Sequence, residues 1–209
     1  MAILVVLGVV GYLVFGRSKG DTDNQGVQIS ASGAGFQFRD AKAFGISVDP
    51  KADRKKANAA AVPIAQDVAG ALNTLYGEGF LDPANTQKGT YDNALAVFDA
   101  GSLSEAQSQV DVLTAGASAG STFDSIGDGT GHLKVQVLLD KSYRPQSAVG
   151  IVTFTATAKG KDGSTITLRS QGQFIFRDVE GTWKIVSFNV TRNDQSGTST
   201  ATSSGSASP

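Results

Sequence analysis

The side chains of this sequence offer few combinations that could catalyse a reaction. His132 is the only histidine and follows a glycine-rich stretch. Asp92 and Asp99 flank a predicted short helix, and Tyr76 and Tyr91 lie shortly before them in the chain. An aspartate base beside a tyrosine donor suits proton transfer next to a carbonyl. Nothing in the spacing requires that pairing, so we interpret the carboxylates as solvated and assign no catalytic residue.

The composition excludes several classes of site. The 209 residues include no cysteine and one histidine, so the sequence predicts no disulfide, no cysteine nucleophile and no multi-histidine metal site. Lys and Arg number 18 against 19 Asp and Glu, a formal net charge of −1. Without an excess of positive charge, general binding to nucleic-acid phosphates is not expected. We therefore expect no cofactor, no metal and no nucleic-acid partner.

Aromatic residues are the remaining candidates for a binding site. Apolar ligand pockets are lined by aromatic side chains, but the same side chains also dominate protein cores. Both interpretations are open from the sequence, and the core is the favoured one. The candidate pocket-lining residues of this kind are Phe80, Phe98, Phe154, Phe174, Phe176 and Trp183.

The N-terminal residues 2–16 are apolar and uncharged. As a helix this segment would be about 24 Å long, slightly less than the roughly 30 Å of a bilayer core. A cleaved signal peptide and an element of a soluble domain are the alternatives. No basic residue comes before the apolar run, and a polar stretch follows it directly. We therefore predict a membrane anchor over residues 1–16 and a flexible linker over residues 17–35.

The orientation of this anchor is a separate question. Arg17 and Lys19 follow the apolar run, and the positive-inside rule would place the domain after them in the cytoplasm. The absence of cysteine, the polar linker and the Ser/Thr-rich C-terminus favour the opposite orientation. We expect localisation at the cell membrane as a single-pass protein, with the main domain outside the cytoplasm.

Helical periodicity dominates the segment after the linker. Apolar residues recur every three or four positions from Val62 to Tyr76, which predicts a long helix with Pro63 in its first turn. A second, short helix is predicted over residues 90–98. A third is predicted to begin with a capping box formed by Ser102 and Glu105.

After residue 120 the hydrophobic period changes to two. Alternation predicts strands over residues 133–139 and 149–158, a hairpin turn at Asp162-Gly163, and a last strand that opens at Trp183. Three helices followed by a meandering antiparallel sheet form an α+β roll, here over residues 36–194. Residues 195–209 carry no charge and no large apolar side chain, which predicts a disordered tail.

This order of elements resembles the nuclear-transport-factor-2-like superfamily. The resemblance covers about residues 55 to 192 and rests on the helix ending in Tyr76-Gly-Glu-Gly-Phe80, the helix entered through Gly89-Thr-Tyr91, and the later hairpin and final strand. It implies a cystatin-like roll in which a bent antiparallel sheet wraps a long helix as a cone. It also implies that Tyr76 and Tyr91 lie near the mouth of the cone, which adds them to the candidate pocket-lining residues.

The superfamily contains enzymes, binders and assembly subunits, so the fold does not decide the function. The whole chain also looks like single-pass actinobacterial membrane proteins that carry this domain outside the membrane. We expect a membrane-anchored, non-catalytic interaction or assembly domain at the cell envelope. Its expected partners are the membrane, through residues 1–16, and other envelope proteins or further copies of itself.

Two alternatives to this function remain open from the sequence. One is the binding of a small apolar ligand or lipid in the cone pocket, and the other is an isomerase- or dehydratase-like enzyme. An unblocked aromatic cavity would favour the binder, and a buried aspartate with a raised pKa would favour the enzyme. A filled cone with an exposed apolar patch would favour assembly.

Overall fold

The structure, a computed structural model, describes residues 26–30 and 36–197. Within these ranges the chain forms a mixed sheet of seven strands and six helices, so the predicted α+β class is confirmed. The helices are α1 (Arg54–Tyr76), α2 (Pro83–Lys88), α3 (Asp92–Leu95), α4 (Ala100–Ser108), α5 (Val110–Leu113) and α6 (Ala119–Thr122), with a π-helical turn at Gly77–Leu81. The strands are β1 (Val27–Gln28), β2 (Arg39–Ser47), β3 (Phe123–Leu139), β4 (Pro145–Gly160), β5 (Thr165–Val179), β6 (Thr182–Arg192) and β7 (Gln195–Gly197).

The sheet runs in the order β1-β2-β3-β4-β5-β6, and β7 pairs with β5. Strand β2 lies parallel to β3, whereas the other pairings are antiparallel, so the prediction of a wholly antiparallel sheet is wrong. The reason is the connection between these two strands. All six helices lie between β2 and β3 in the chain, and such a long crossover can return the chain to the same end of the sheet.

Helix α1 begins earlier than the sequence predicts. Asp53 is its N-cap, and the Asp53 carboxylate accepts hydrogen bonds from the backbone N–H groups of Lys55 and Lys56 at 2.8 and 3.1 Å. Pro63 therefore lies inside the helix, and its predicted place in the first turn is wrong. A charged cap followed by an alanine-rich run favours helix strongly enough to extend it on the N-terminal side of the proline.

One face of α1 packs against the sheet, and we call that side of the sheet its inner face. The buried residues of α1 include Ala57, Ala61, Ala65, Val68 and Leu72. At Ala57 the helix approaches the sheet closely: a Cβ added to Gly45 of β2 would collide with the backbone carbonyl of Ala57. The inner face is defined on β3 by the alternating buried residues Leu133, Val135, Val137 and Leu139.

The remaining helices are shorter and more numerous than the three predicted. Asp99 is the N-cap of α4 and accepts a hydrogen bond from the backbone N–H of Ser102 at 2.9 Å, so the predicted capping box at Ser102 is wrong. Gly89, in the left-handed conformation at φ 66°, ends α2 after six residues. Polar caps and glycines thus divide this part of the chain into single turns.

The described residues extend the domain at both predicted boundaries. Within the predicted linker, β1 pairs with β2 and Ile29 is only 5% exposed. Within the predicted tail, β7 pairs with Thr165–Thr167 of β5. Both boundaries need correction because backbone groups can pair with a sheet whatever the side chains are. The predicted anchor over residues 1–16 and residues 198–209 of the predicted tail lie outside the described residues. No helix within the described ranges is long and apolar enough to cross a membrane.

Candidate functional site

Aromatic rings from α1, the π-helical turn and two strands meet on the inner face. Tyr76 stacks on Phe80 with 5.5 Å between ring centroids and lies 4.9 Å from the ring of Phe154. Phe174 meets Tyr76 edge-on at 6.3 Å. Phe80 follows Tyr76 by four residues, so the helical backbone presents the two rings on one side. The structure thus brings together these four of the eight predicted pocket-lining residues, which we call the aromatic cluster.

The aromatic cluster contains one buried polar contact. The hydroxyls of Tyr76 and of Ser170 on β5 share a hydrogen bond of 3.0 Å. Burial raises the pKa of the Tyr76 phenol well above its usual range, since the charged form would lose its hydration. Tyr76 therefore stays protonated at physiological pH, and its hydroxyl is bound to Ser170.

The aromatic cluster is filled by its own side chains. Tyr76, Phe80, Phe154 and Phe174 are each at most 2% exposed. Phe36 and Phe38 complete the packing: Phe36 lies 5.3 Å from Phe154, and Phe38 lies 5.4 Å from Tyr76. Sequence analysis missed these last two residues. Their alternation around Gln37 was the available signal, because strands bury every second side chain.

The other four predicted pocket-lining residues are buried in the same hydrophobic core and make other contacts. The Tyr91 hydroxyl donates a hydrogen bond of 2.8 Å to the carbonyl of Gly116, and burial raises the pKa of this phenol. Phe98 packs edge-on against Phe188 at 5.4 Å. Phe176 and Trp183 are buried in the core.

Arg192, which the sequence analysis did not single out, closes one side of the aromatic cluster. Its guanidinium lies 5.8 Å from the centroid of the Phe80 ring. It donates hydrogen bonds to the backbone carbonyls of Asp111 and Thr114 at 2.9 and 2.7 Å, and to the Asp194 carboxylate at 3.0 and 2.7 Å. No local sequence signal points to this role, because its carbonyl partners lie about eighty residues earlier in the chain.

The residues considered for catalysis make separate contacts. The His132 side chain is 71% exposed, with Nδ1 at 3.7 Å from a carboxylate oxygen of Asp40. Asp99 accepts hydrogen bonds from the backbone and hydroxyl of Ser102, and the hydroxyl contact lowers its pKa. Asp92 is exposed. Within residues 26–30 and 36–197 no group of three or more His, Asp and Glu side chains is placed to hold a metal ion.

Among the cavities of the described part of the domain, two are small and partly open. One, of about 70 Å³, lies between α2, α6 and the start of β3. The other, of about 160 Å³, lies between β1, β2 and α1 and has a mainly polar lining that includes Gln28, Asp40 and Asn73. The second cavity is polar and large enough for a few water molecules. Neither is lined by any of the eight predicted pocket-lining residues.

Comparison with known proteins identifies no relative. No protein-family model, no curated protein and no solved structure matches the chain. The resemblance to the nuclear-transport-factor-2-like superfamily therefore rests on the order of elements and on the motifs in the sequence.

Proposed function

We propose that this protein is a membrane-anchored, non-catalytic domain that serves interaction or assembly at the cell envelope. Residues 1–16 are the anchor, a short transmembrane helix, and the domain that follows lies outside the cytoplasm. The fold in this proposal is the cone-shaped roll of the nuclear-transport-factor-2-like superfamily, with the sheet bent around α1. The packing of α1 along the inner face of β2, β3 and β4 supports that fold.

The filled interior is the observation that carries this function. A binder of apolar ligands needs a cavity inside the roll, but the aromatic cluster occupies that space with its own rings. An enzyme of the acid–base type needs a carboxylate beside the tyrosine donor, but the partner of the Tyr76 hydroxyl is Ser170. Because side chains fill the interior, the proposed contacts with partners are made by the surface of the domain.

The anchor is tested by extracting membranes from cells that express the full chain. We expect the full chain to stay in the membrane fraction in alkaline carbonate, because an inserted apolar helix is held by the hydrophobic effect rather than by charge. The control is a chain that begins at Gly26, which should appear in the soluble fraction. Release of the full chain by carbonate would contradict the anchor.

Orientation and partners need separate measurements. Protease added to intact spheroplasts should digest the domain if it lies outside the cytoplasm, whereas protection until lysis would place it inside. Assembly is tested by crosslinking membranes that contain two differently tagged copies of the full chain. The proposal expects a discrete adduct, either between the two copies or with one defined envelope protein. A chain that is crosslinked to neither would contradict an assembly role.

A further inference from the structure

The side of the sheet opposite α1, which we call the outer face, combines apolar and basic side chains. The strand register pairs Phe44 with Gln136, Gln136 with Val149, and Val149 with Ile175 across four strands. Val149 is only 4% exposed although the strand register turns it away from α1, so neighbouring side chains of the outer face cover it. The side-chain oxygen of Gln136 is buried among them without a hydrogen-bond partner.

The charges on the outer face are mainly positive, although the Asp40 carboxylate lies 3.7 Å from the outward-facing His132 at one edge. The exposed cations at outward positions of strands β2 to β5 include Lys42, Lys134, Lys159, Arg169 and Arg177. At the outward paired positions of these described strands there is no carboxylate. The acidic residues of the same strands lie at register shifts or strand ends: Asp40, Asp124, Asp128 and Asp178.

The helices carry the opposite charge. Residues 54–122, from the start of α1 to the end of α6, include seven carboxylates and four cations, of which three, Arg54, Lys55 and Lys56, lie in the first turn of α1. The carboxylates are those of Asp67, Glu78, Asp82, Asp92, Asp99, Glu105 and Asp111. The domain therefore has a basic sheet side and an acidic helix side, although the whole chain is close to neutral. Such a separation of charge orients a protein in front of a charged surface.

The chain also enters the domain at the outer face. Gly26 lies against the ring of Phe44, where an added Cβ would be 2.5 Å from the ring carbon Cζ. Nine residues, 17–25, separate Gly26 from the end of the proposed anchor. Fully extended, they reach about 30 Å. In an anchored chain this edge of the outer face therefore stays within that distance of the bilayer.

We propose that the outer face docks on the surface of an anionic phospholipid bilayer, with the helices turned away from it. This inference rests on the proposed anchor and adds to it the orientation and the lipid chemistry. Five exposed cations complement the negative charge of the headgroups. A second copy of the same face would bring like charges together, which opposes self-association there. Because the apolar residues are mostly half-buried, contact is made by charge and shallow packing rather than by deep insertion.

The docking is tested with the full chain in vesicles that carry a fluorescence quencher on the lipid headgroup. The protein has no cysteine, so single cysteines report on single positions. Thr153→Cys places a fluorophore on the outer face, and Ser104→Cys places one on α4 as the matched control; both residues are exposed. The vesicles are phosphatidylcholine alone or with about 30% phosphatidylglycerol, an anionic lipid that attracts basic segments.

In phosphatidylglycerol vesicles at low salt we expect the label at residue 153 to be quenched at least twofold more than the label at residue 104. The difference should disappear in phosphatidylcholine alone, and it should also disappear at about 0.5 M salt, where screening is effective within a few ångströms. Equal quenching of both labels in anionic vesicles would overturn the docking. Stronger quenching at residue 104 would reverse the orientation and overturn it as well.

Charge variants test whether docking depends on the cations of the outer face or only on the net charge of the chain. Each cation near an anionic surface contributes about fivefold to binding, so Lys134→Gln with Arg177→Gln should weaken docking roughly 25-fold. Lys55→Gln with Lys56→Gln, at the start of α1, removes the same charge and should leave the quenching unchanged. Equal losses in the two double variants would overturn the assignment to the outer face.

Carbonate extraction of the same vesicles tests the anchor separately from the docking. A carbonate-resistant chain whose two labels are quenched equally would retain the anchor and reject the docking. A chain that carbonate releases would reject both, because the docking as proposed depends on the tether.

Discussion

Loss of the Tyr76 hydroxyl is the sharpest test of the filled interior. Tyr76→Phe keeps the ring in the aromatic cluster but leaves the buried hydroxyl of Ser170 without its partner at 3.0 Å. An unsatisfied buried polar group costs about 1–3 kcal/mol of unfolding free energy. Ser170→Ala should cost a similar amount, because it leaves the Tyr76 hydroxyl unpaired instead. The double variant removes both groups and should cost less than the sum of the two single variants by about 1–3 kcal/mol.

The assay is urea unfolding of the full chain in mild detergent, followed by far-ultraviolet circular dichroism. Tyr143→Phe is the matched control. The Tyr143 hydroxyl accepts a hydrogen bond from the backbone N–H of Asp53 at an exposed site, where water can replace it, so its loss should stay within about 0.5 kcal/mol. Losses of unfolding free energy that simply add in the double variant of Tyr76 and Ser170 would refute a closed and dry interior. Losses in the single variants that are no larger than that of the control would refute it as well.

The effect of Tyr76→Phe on stability should also depend on pH. Burial raises the pKa of Tyr76 in the folded protein, while the unfolded chain ionises this phenol near pH 10. The contribution of the neutral phenol is thus complete below about pH 10 and falls by up to about 1.4 kcal/mol per pH unit above it. The stability advantage of the unmodified chain over Tyr76→Phe should therefore shrink above about pH 10. An advantage that does not change with pH would mean that the phenol is accessible to solvent.

Three further changes test the packing. Trp183→Ala should lower the unfolding free energy by about 3–5 kcal/mol, because it empties a large buried site. A solvent-like fluorescence emission of Trp183 in the unmodified protein would contradict that burial. Asp99→Ala should cost about 1 kcal/mol by removing a helix cap. Since the hydrogen bond from Ser102 lowers the pKa of Asp99, this difference should be present above about pH 4 and vanish in acid titrations, and a constant difference would argue against the cap. A chain that begins at Phe36 should be about 1.5–3 kcal/mol less stable than one that begins at Gly26, because it lacks buried Ile29; equal melting curves would contradict a structural role for β1.

Local patterns in the sequence predicted a large part of the fold. The apolar stripe that ends at Tyr76 marks α1, and the alternation around Val135 marks the inner face of β3. The Asp162-Gly163 turn joins β4 to β5, where Gly163 has a φ of 84°. Each of these signals depends on residues that are close together in the chain, so the backbone period or the turn chemistry is enough to read them.

The candidate site was less accessible to sequence analysis. Eight aromatic residues were expected to line one pocket, but four of them join a filled cluster and four pack elsewhere. Whether a set of rings encloses a cavity depends on what fills the space between them, here Phe36, Phe38 and Arg192. Those residues come from the two ends of the domain, and their types alone do not predict the contact.

The sequence by itself therefore determined the α+β class, the long helix, the hairpin of β4 and β5 and the burial of Trp183, because periodicity and turn chemistry act over a few residues. Tertiary structure alone decided the parallel pairing of β2 with β3, the hydrogen bond between Tyr76 and Ser170, and the gathering of cations on the outer face. These features join residues that are tens of positions apart. They arise only when the whole chain buries its apolar surface, and no short window of sequence carries that information.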